Sequence, residues 1–200
     1  MKLCNMTKKE LRGQIKQVLQ ENEALLPELS KKISQRVMES QAYKDSSVVL
    51  AYMALPDEVD LSLVIDDALA AGKKVFIPRI VPGTNLMDFF QVTDGAKADV
   101  GSYGILEPQE DWPKFEFEQV GQAGQTLVLT PGRAFTLECA RLGRGKGFYD
   151  TFLAKLKKVR VVENKKPAVC LAGVCFSCQV VEELPVEFHD EKMDLLFTDL

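Results

Sequence analysis

The stretch from residue 48 to residue 78 constrains this chain more than any other. Val48-Val49-Leu50-Ala51-Tyr52-Met53-Ala54 is a short apolar run with β-branched residues, the pattern of a buried strand. Leu61 to Ala71 reads as a helix, and Gly72 supplies a common stop. Val75-Phe76-Ile77-Pro78 is the next strand. Strand, helix and strand within about 30 residues make a βαβ crossover, the connection that parallel strands require.

The rest of the chain extends this pattern. Thr7-Lys8-Lys9-Glu10 has the form of a capping box, followed by Leu11, Ile15, Val18 and Leu19 at helical spacing. A second helix is expected near Pro27, burying Leu26, Leu29, Ile33 and Val37. Met87 to Val92, Thr126 to Thr130, Ala168 to Phe176 and Leu195 to Phe197 read as strands. A helix carrying Phe148, Phe152, Leu153 and Leu156 follows Gly145, and residues 93–125 are rich in loop formers. The alternation predicts an α/β fold: residues 1–200 as a single domain with a mainly parallel central sheet flanked by helices.

Composition narrows the function. Hydrophobic residues at 46% and charged residues at 27% exclude disorder as the main state. No apolar run approaches the ~20 residues of a membrane span, so no membrane association is expected. A net charge of −4 speaks against a nucleic-acid partner. Five cysteines, an odd number, do not suggest a disulfide framework, and Met1 to Met6 lacks a signal core, so a cytoplasmic location is expected.

The densest chemical signal is Arg141-Leu142-Gly143-Arg144-Gly145-Lys146-Gly147-Phe148-Tyr149-Asp150. Glycines let backbone N–H groups approach an anion, and a helix N-terminus adds positive potential. Arg141, Arg144 and Lys146 supply charges for phosphate oxygens, and Asp150 supplies a carboxylate for a magnesium ion. The spacing is neither that of a P-loop nor that of the dinucleotide fingerprint. Lys8 and Arg12 lie one helical turn apart and share a face. Pro56-Asp57-Glu58-Val59-Asp60 follows a strand end, where α/β folds place their ligands. Glu58 there reads equally as a ligand acceptor or as part of an acidic loop in which Asp60 or Ser62 caps the next helix. Cys175-Phe176-Ser177-Cys178, with Cys170 and His189, has the donors of a zinc site, but cysteines in an apolar strand are more simply inert buried thiols.

Taken in order, these pieces resemble the 5-formyltetrahydrofolate cyclo-ligase family, and the resemblance spans nearly the whole chain. It rests on Lys8-Lys9-Glu10-Leu11-Arg12, Leu55-Pro56-Asp57-Glu58-Val59, Phe76-Ile77-Pro78-Arg79 and Met87-Asp88-Phe89-Phe90. Gly101 to Pro108, the Arg141–Asp150 run, and Leu184-Pro185 to His189-Asp190 with Asp194 complete the series. The resemblance implies conversion of 5-formyltetrahydrofolate and ATP to 5,10-methenyltetrahydrofolate, ADP and phosphate, with Mg2+. It implies that Lys8, Lys9, Glu10, Leu11 and Arg12 contact ATP, with Arg141, Leu142, Gly143, Arg144, Gly145, Lys146, Gly147, Phe148 and Tyr149 as the ATP loop. Lys146 and Arg144 would act on the transferring phosphoryl group, and Glu58 on the folate. Met53, Met87, Tyr103, Phe148 and Tyr149 would form the pterin slot, with Asp150 and Asp190 on the metal. A monomer is expected, acting on small molecules alone.

Three positions depart from the family pattern. Thr136 stands where Asp is usual after Ala134-Phe135, Arg133 replaces a small apolar residue, and Leu61 stands where Thr is frequent. Two other readings fit the same residues: a non-catalytic folate or nucleotide binder, and a different enzyme on a related α/β scaffold, such as a sugar-phosphate isomerase or CoA transferase.

Overall fold

A computed structural model of the chain describes residues 6–93, 99–100, 106–121, 124–159, 162–163, 166–185, 187 and 191–200. In chain order the helices are α1 (Lys8–Glu21), α2 (Leu26–Glu39), α3 (Gln41–Asp45), α4 (Ser62–Ala70) and α5 (Phe148–Lys158). The strands are β1 (Ser46–Leu50), β2 (Lys74–Ile80), β3 (Met87–Gln91), β4 (Asp99–Val100), β5 (Leu106–Glu107) and β6 (Gln125–Pro131). They continue with β7 (Ala134–Phe135), β8 (Arg141–Leu142), β9 (Val162–Glu163), β10 (Lys166–Pro167), β11 (Val169–Val174) and β12 (Leu195–Phe197).

Six strands form one central sheet in the order β12-β11-β6-β1-β2-β3. Every neighbouring pair is parallel except β2 with β3, which closes one edge antiparallel. The expected mainly parallel sheet flanked by helices is therefore present.

A strand alternates its side chains between faces, and the core divides accordingly. Val49, Leu127, Leu129, Ala172 and Val174 point to one side, where they meet Leu11, Ile15 and Leu19 of α1, Ile33 and Val37 of α2, and Val64 of α4. Val48, Leu50, Val128, Val169 and Leu171 point to the other, against Phe152, Leu153 and Leu156 of α5 and the ring of Phe89. Each fully buried leucine contributes roughly 2 kcal/mol, so both faces hold their helices firmly.

The capping box of α1 is formed as expected. Glu10 N donates to Thr7 Oγ1 at 3.3 Å, and Thr7 N donates to Glu10 Oε2 at 2.8 Å. Two details differ from the sequence reading. β1 ends at Leu50, not near Ala54. Ala51 and Tyr52 are still buried, and Ala51 N still donates to Phe76 O of β2 at 2.9 Å, so the apolar run outlasts the strand itself. Arg141-Leu142, expected within an open loop, is a buried strand paired with Ala134-Phe135.

Candidate active site

The site forms where two loops meet beyond the carboxyl ends of the parallel strands. The first follows β1. Tyr52 Oη donates to Val59 O at 2.9 Å, and burial, reinforced by the nearby Glu58 charge, pushes the Tyr52 hydroxyl pKa up. Asp60 N donates to Ser30 Oγ at 3.1 Å, and Ser34 Oγ donates to Asp60 O at 3.1 Å, so α2 straps the loop down. Asp60 also accepts from Ser62 N at 2.9 Å at the start of α4. The acidic loop is thus split by role. Asp60 serves the helix start, while Glu58 turns inward with its side chain only 7% exposed. Its carboxylate accepts from Leu55 N at 3.0 Å and from Arg144 Nε at 2.7 Å.

The second loop joins β8 to α5. Gly145 at φ 95° and Gly147 at φ 76° occupy the left-handed region, which side chains disfavour. Gly147 sits at the N-cap of α5, so the chain turns sharply and presents the first turn of that helix to the cavity. Arg12 of α1 lies across the loop and donates from Nε to Gly143 O at 2.8 Å.

Between the loops lies a cavity of about 290 Å³. Met53, Met87, Phe148 and Tyr149 supply apolar and aromatic wall, Glu58 one polar end, and Gly143 to Gly147 the other. The Tyr149 hydroxyl is buried without a partner, and burial followed by the Glu58 charge raises its pKa. An unsatisfied donor of this kind is costly unless a ligand meets it.

The residues expected to be cationic phosphate ligands turn out to differ from one another. Arg141 is buried at the cavity wall, its guanidinium donating to Pro131 O at 3.1 Å and to Asp150 while its Nε has no partner. Arg144 is committed to Glu58 and Asp57. Lys8 pairs with Glu187 at 3.1 Å. Lys146 and Lys9 are exposed and have no ion pair among the described residues. Leu11 and Leu142 are core residues, and Glu10 is the α1 cap. Their side chains serve the site by fixing their neighbours. Tyr103, His189 and Asp190 lie outside the described residues.

Six cavity-lining residues, Tyr52, Leu55, Pro78, Ile80, Glu107 and Pro131, were not among the expected site residues, and Glu107 is the charged one. Glu107 on β5 is 6% exposed and lines the wall near Met87. A lone carboxylate between Leu106 and Pro108 was the available signal. Cys170 and Cys175 are buried free thiols, and Cys178 is free and half-buried. Among the described residues no three His, Cys, Asp or Glu side chains gather as a metal cluster. Thr136, one of the departures, accepts from Ala140 N at 3.3 Å and closes the β7–β8 turn.

Fold and site together define an α/β protein whose apolar, aromatic-walled cavity meets a glycine-rich cationic loop at the start of α5. Residues 5–199 match the 5-formyltetrahydrofolate cyclo-ligase family. The chain is 31% identical to 5-formyltetrahydrofolate cyclo-ligase of Mus musculus, over 98% of its own length and 95% of the relative's. It is also 31% identical to the Saccharomyces cerevisiae protein of that name, over 95% and 94%. Among solved structures, Aquifex aeolicus 5,10-methenyltetrahydrofolate synthetase matches with TM-score 0.72 and 30% identity, covering 97% of this chain and 90% of that one. The chain belongs to the 5-formyltetrahydrofolate cyclo-ligase family.

Proposed function

We propose that this chain converts 5-formyltetrahydrofolate and ATP to 5,10-methenyltetrahydrofolate, ADP and phosphate. One observation carries the reading: a single cavity brings the Glu58 carboxylate and the Gly143–Gly147 loop onto one apolar slot. The family assignment supplies the reaction to which that slot is matched.

An N-formyl amide is a poor electrophile. Transfer of the γ-phosphoryl group to the formyl oxygen makes that oxygen a leaving group. N10 of the substrate then attacks the formyl carbon, closing a five-membered ring. The N10 proton is lost, the carbon–oxygen bond breaks, and phosphate departs with the former formyl oxygen. The positive charge remains on the methenyl bridge.

The protein's contribution is positioning and charge neutralisation rather than covalent chemistry. Lys146 is the exposed cation best placed for the phosphoryl oxygens, with the α5 N-terminus behind it. Glu58 accepts hydrogen bonds from ring nitrogens and takes the N10 proton. Met53, Met87, Phe148 and Tyr149 sandwich the pterin, and the Tyr149 hydroxyl finds its missing partner on the ligand.

Mg2+ fits this donor set. It commonly keeps several waters and binds through one or two carboxylates plus substrate phosphates. Asp150 at the cavity wall provides one such carboxylate, joined to Arg141 through Oδ1. When bound, the ion neutralises phosphate charge. Asp190 is a further candidate ligand. The proposed reading is of a single-domain monomer in the cytoplasm. No helix among the described residues is long and apolar enough to cross a membrane.

The test mixes purified protein, 5-formyltetrahydrofolate, Mg2+ and ATP and follows the near-ultraviolet absorbance of the methenyl product. An ATP-dependent rise is expected. A flat trace from folded protein and intact substrate would overturn the reading in favour of a non-catalytic binder.

A further inference from the structure

Asp57, beside Glu58, is held by two arginines that stand on very different supports. Arg133 donates to Asp57 Oδ2 at 2.7 Å from a side chain only 9% exposed. Its backbone is fixed on every side. Arg133 N donates to Leu142 O at 2.7 Å, and Gln179 Nε2 donates to Arg133 O at 3.1 Å and to Gly132 O at 2.9 Å. Arg144 donates to Asp57 Oδ1 and to Glu58 Oε1, but it stands between Gly143 and Gly145 in the loop before α5.

The cluster therefore holds two carboxylates and two guanidiniums, with one cation anchored and the other on a glycine hinge. Burial alone would raise the Asp57 pKa. The hydrogen bonds and the charges of Arg144 and Arg133 together outweigh it and hold the carboxyl below its ordinary range. When an anionic ligand draws Arg144 away, Glu58 gains free acceptor capacity for the ligand. Asp57 still has Arg133. Without Arg133, the same movement would strip Asp57 of its last cation, and a partly buried carboxylate resists that.

We propose that Arg133 is a positioning residue: the standing counter-ion of Asp57 that frees Arg144 to leave the carboxylate pair and take the phosphates of an incoming nucleotide. This rests on the reading that the Gly143–Gly147 loop receives ATP. At the position where the family carries a small apolar residue, this chain has a group that acts on the site through Asp57.

The test compares Arg133→Met, Arg133→Lys, Asp57→Asn and the double variant Arg133→Met/Asp57→Asn. ATP affinity is measured by calorimetry without folate, and turnover is measured separately. Arg133→Met should weaken ATP binding about tenfold, with a larger effect on the KM for ATP than on kcat, and Arg133→Lys should stay within about threefold of the parent. With Asp57 neutralised, the double variant should bind ATP as Asp57→Asn does. A purely structural arginine would weaken ATP binding whether or not Asp57 carried charge. An unchanged affinity in Arg133→Met, or a loss that persists in the double variant, would overturn the proposal. Should Arg133→Met fail to fold, the double variant against Asp57→Asn decides: equal affinities support the proposal and a tenfold gap overturns it. An inactive parent chain that still shows this affinity pattern would overturn the ligase reading and leave the role of Arg133 standing. A parent chain that binds no ATP would overturn both.

Discussion

The Leu55–Asp60 loop and the Gly143–Gly147 loop face each other across one cavity, but they are built in opposite ways. The first is strapped by Tyr52, Ser30 and Ser34, and its key carboxylate is 7% exposed. The second carries two glycines at positive φ and an exposed lysine with no ion pair among the described residues. The difference follows from what each must hold. A neutral ring edge needs an acceptor fixed in advance, because a misplaced hydrogen bond gains little. A polyanion needs charge and open backbone that adapt to it.

Lys146→Ala should break the contrast most severely. Loss of a cation at a transferring phosphoryl group should lower kcat/KM by about 100- to 1,000-fold. The side chain is exposed and makes no ion pair among the described residues, so the melting temperature should hold. Steady-state kinetics beside thermal denaturation check both halves. A similar activity loss with a large drop in melting temperature would make Lys146 a structural residue.

Asp150→Asn should come next. A weaker metal ligand should raise the magnesium concentration for half-maximal rate by about tenfold, in line with losing a charged ligand. A superimposable magnesium titration would remove Asp150 from the metal role. The same change releases the buried Arg141 guanidinium, so a modest loss of stability should accompany it.

Gly145→Ala sharpens the account of the second loop. An L side chain at φ 95° is strained by about 1 kcal/mol, and its Cβ would lie 3.3 Å from Arg12 Cζ. The KM for ATP should rise several-fold, while the KM for the folate changes little. Equal effects on both would show that the two loops are not mechanically separate.

The smallest effect concerns acid. Asp57 has a folded-state pKa below its unfolded value, which is near 3.9. Its contribution is therefore fully present above about pH 4 and is lost as the pH falls through the lower folded value. Thermal denaturation between about pH 5 and pH 2 should fall less steeply in Asp57→Asn than in the parent chain.

Much of this arrangement was legible from the residues. The βαβ crossover, the α1 cap and the apolar stripes depend on local periodicity, and they appear as expected. β1 stops at Leu50, short of the end of the apolar run, because burial does not set where a strand ends: Ala51 and Tyr52 stay in the core beyond it. Arg141 shows what the residues alone leave out. Its charge points to phosphate, and the structure adds that its guanidinium donates to Pro131 O and Asp150 inside the fold while its Nε is left without a partner. Nothing local announces that pairing. Similarly, no spacing rule connects Asp57 with Arg133 or Arg144, which lie 76 and 87 residues away. The sequence displayed the charges, and only the packing showed which of them are already spent on one another.

The central claim is that the formyl oxygen is phosphorylated within this cavity before ring closure. It is tested most directly with 5-formyltetrahydrofolate carrying 18O in the formyl group. Turned over with unlabelled ATP in unlabelled water, it should yield inorganic phosphate bearing one 18O atom, read by mass spectrometry. Unlabelled phosphate, with the label shown to be retained in unreacted substrate, would mean that the oxygen leaves by another route and would contradict the account.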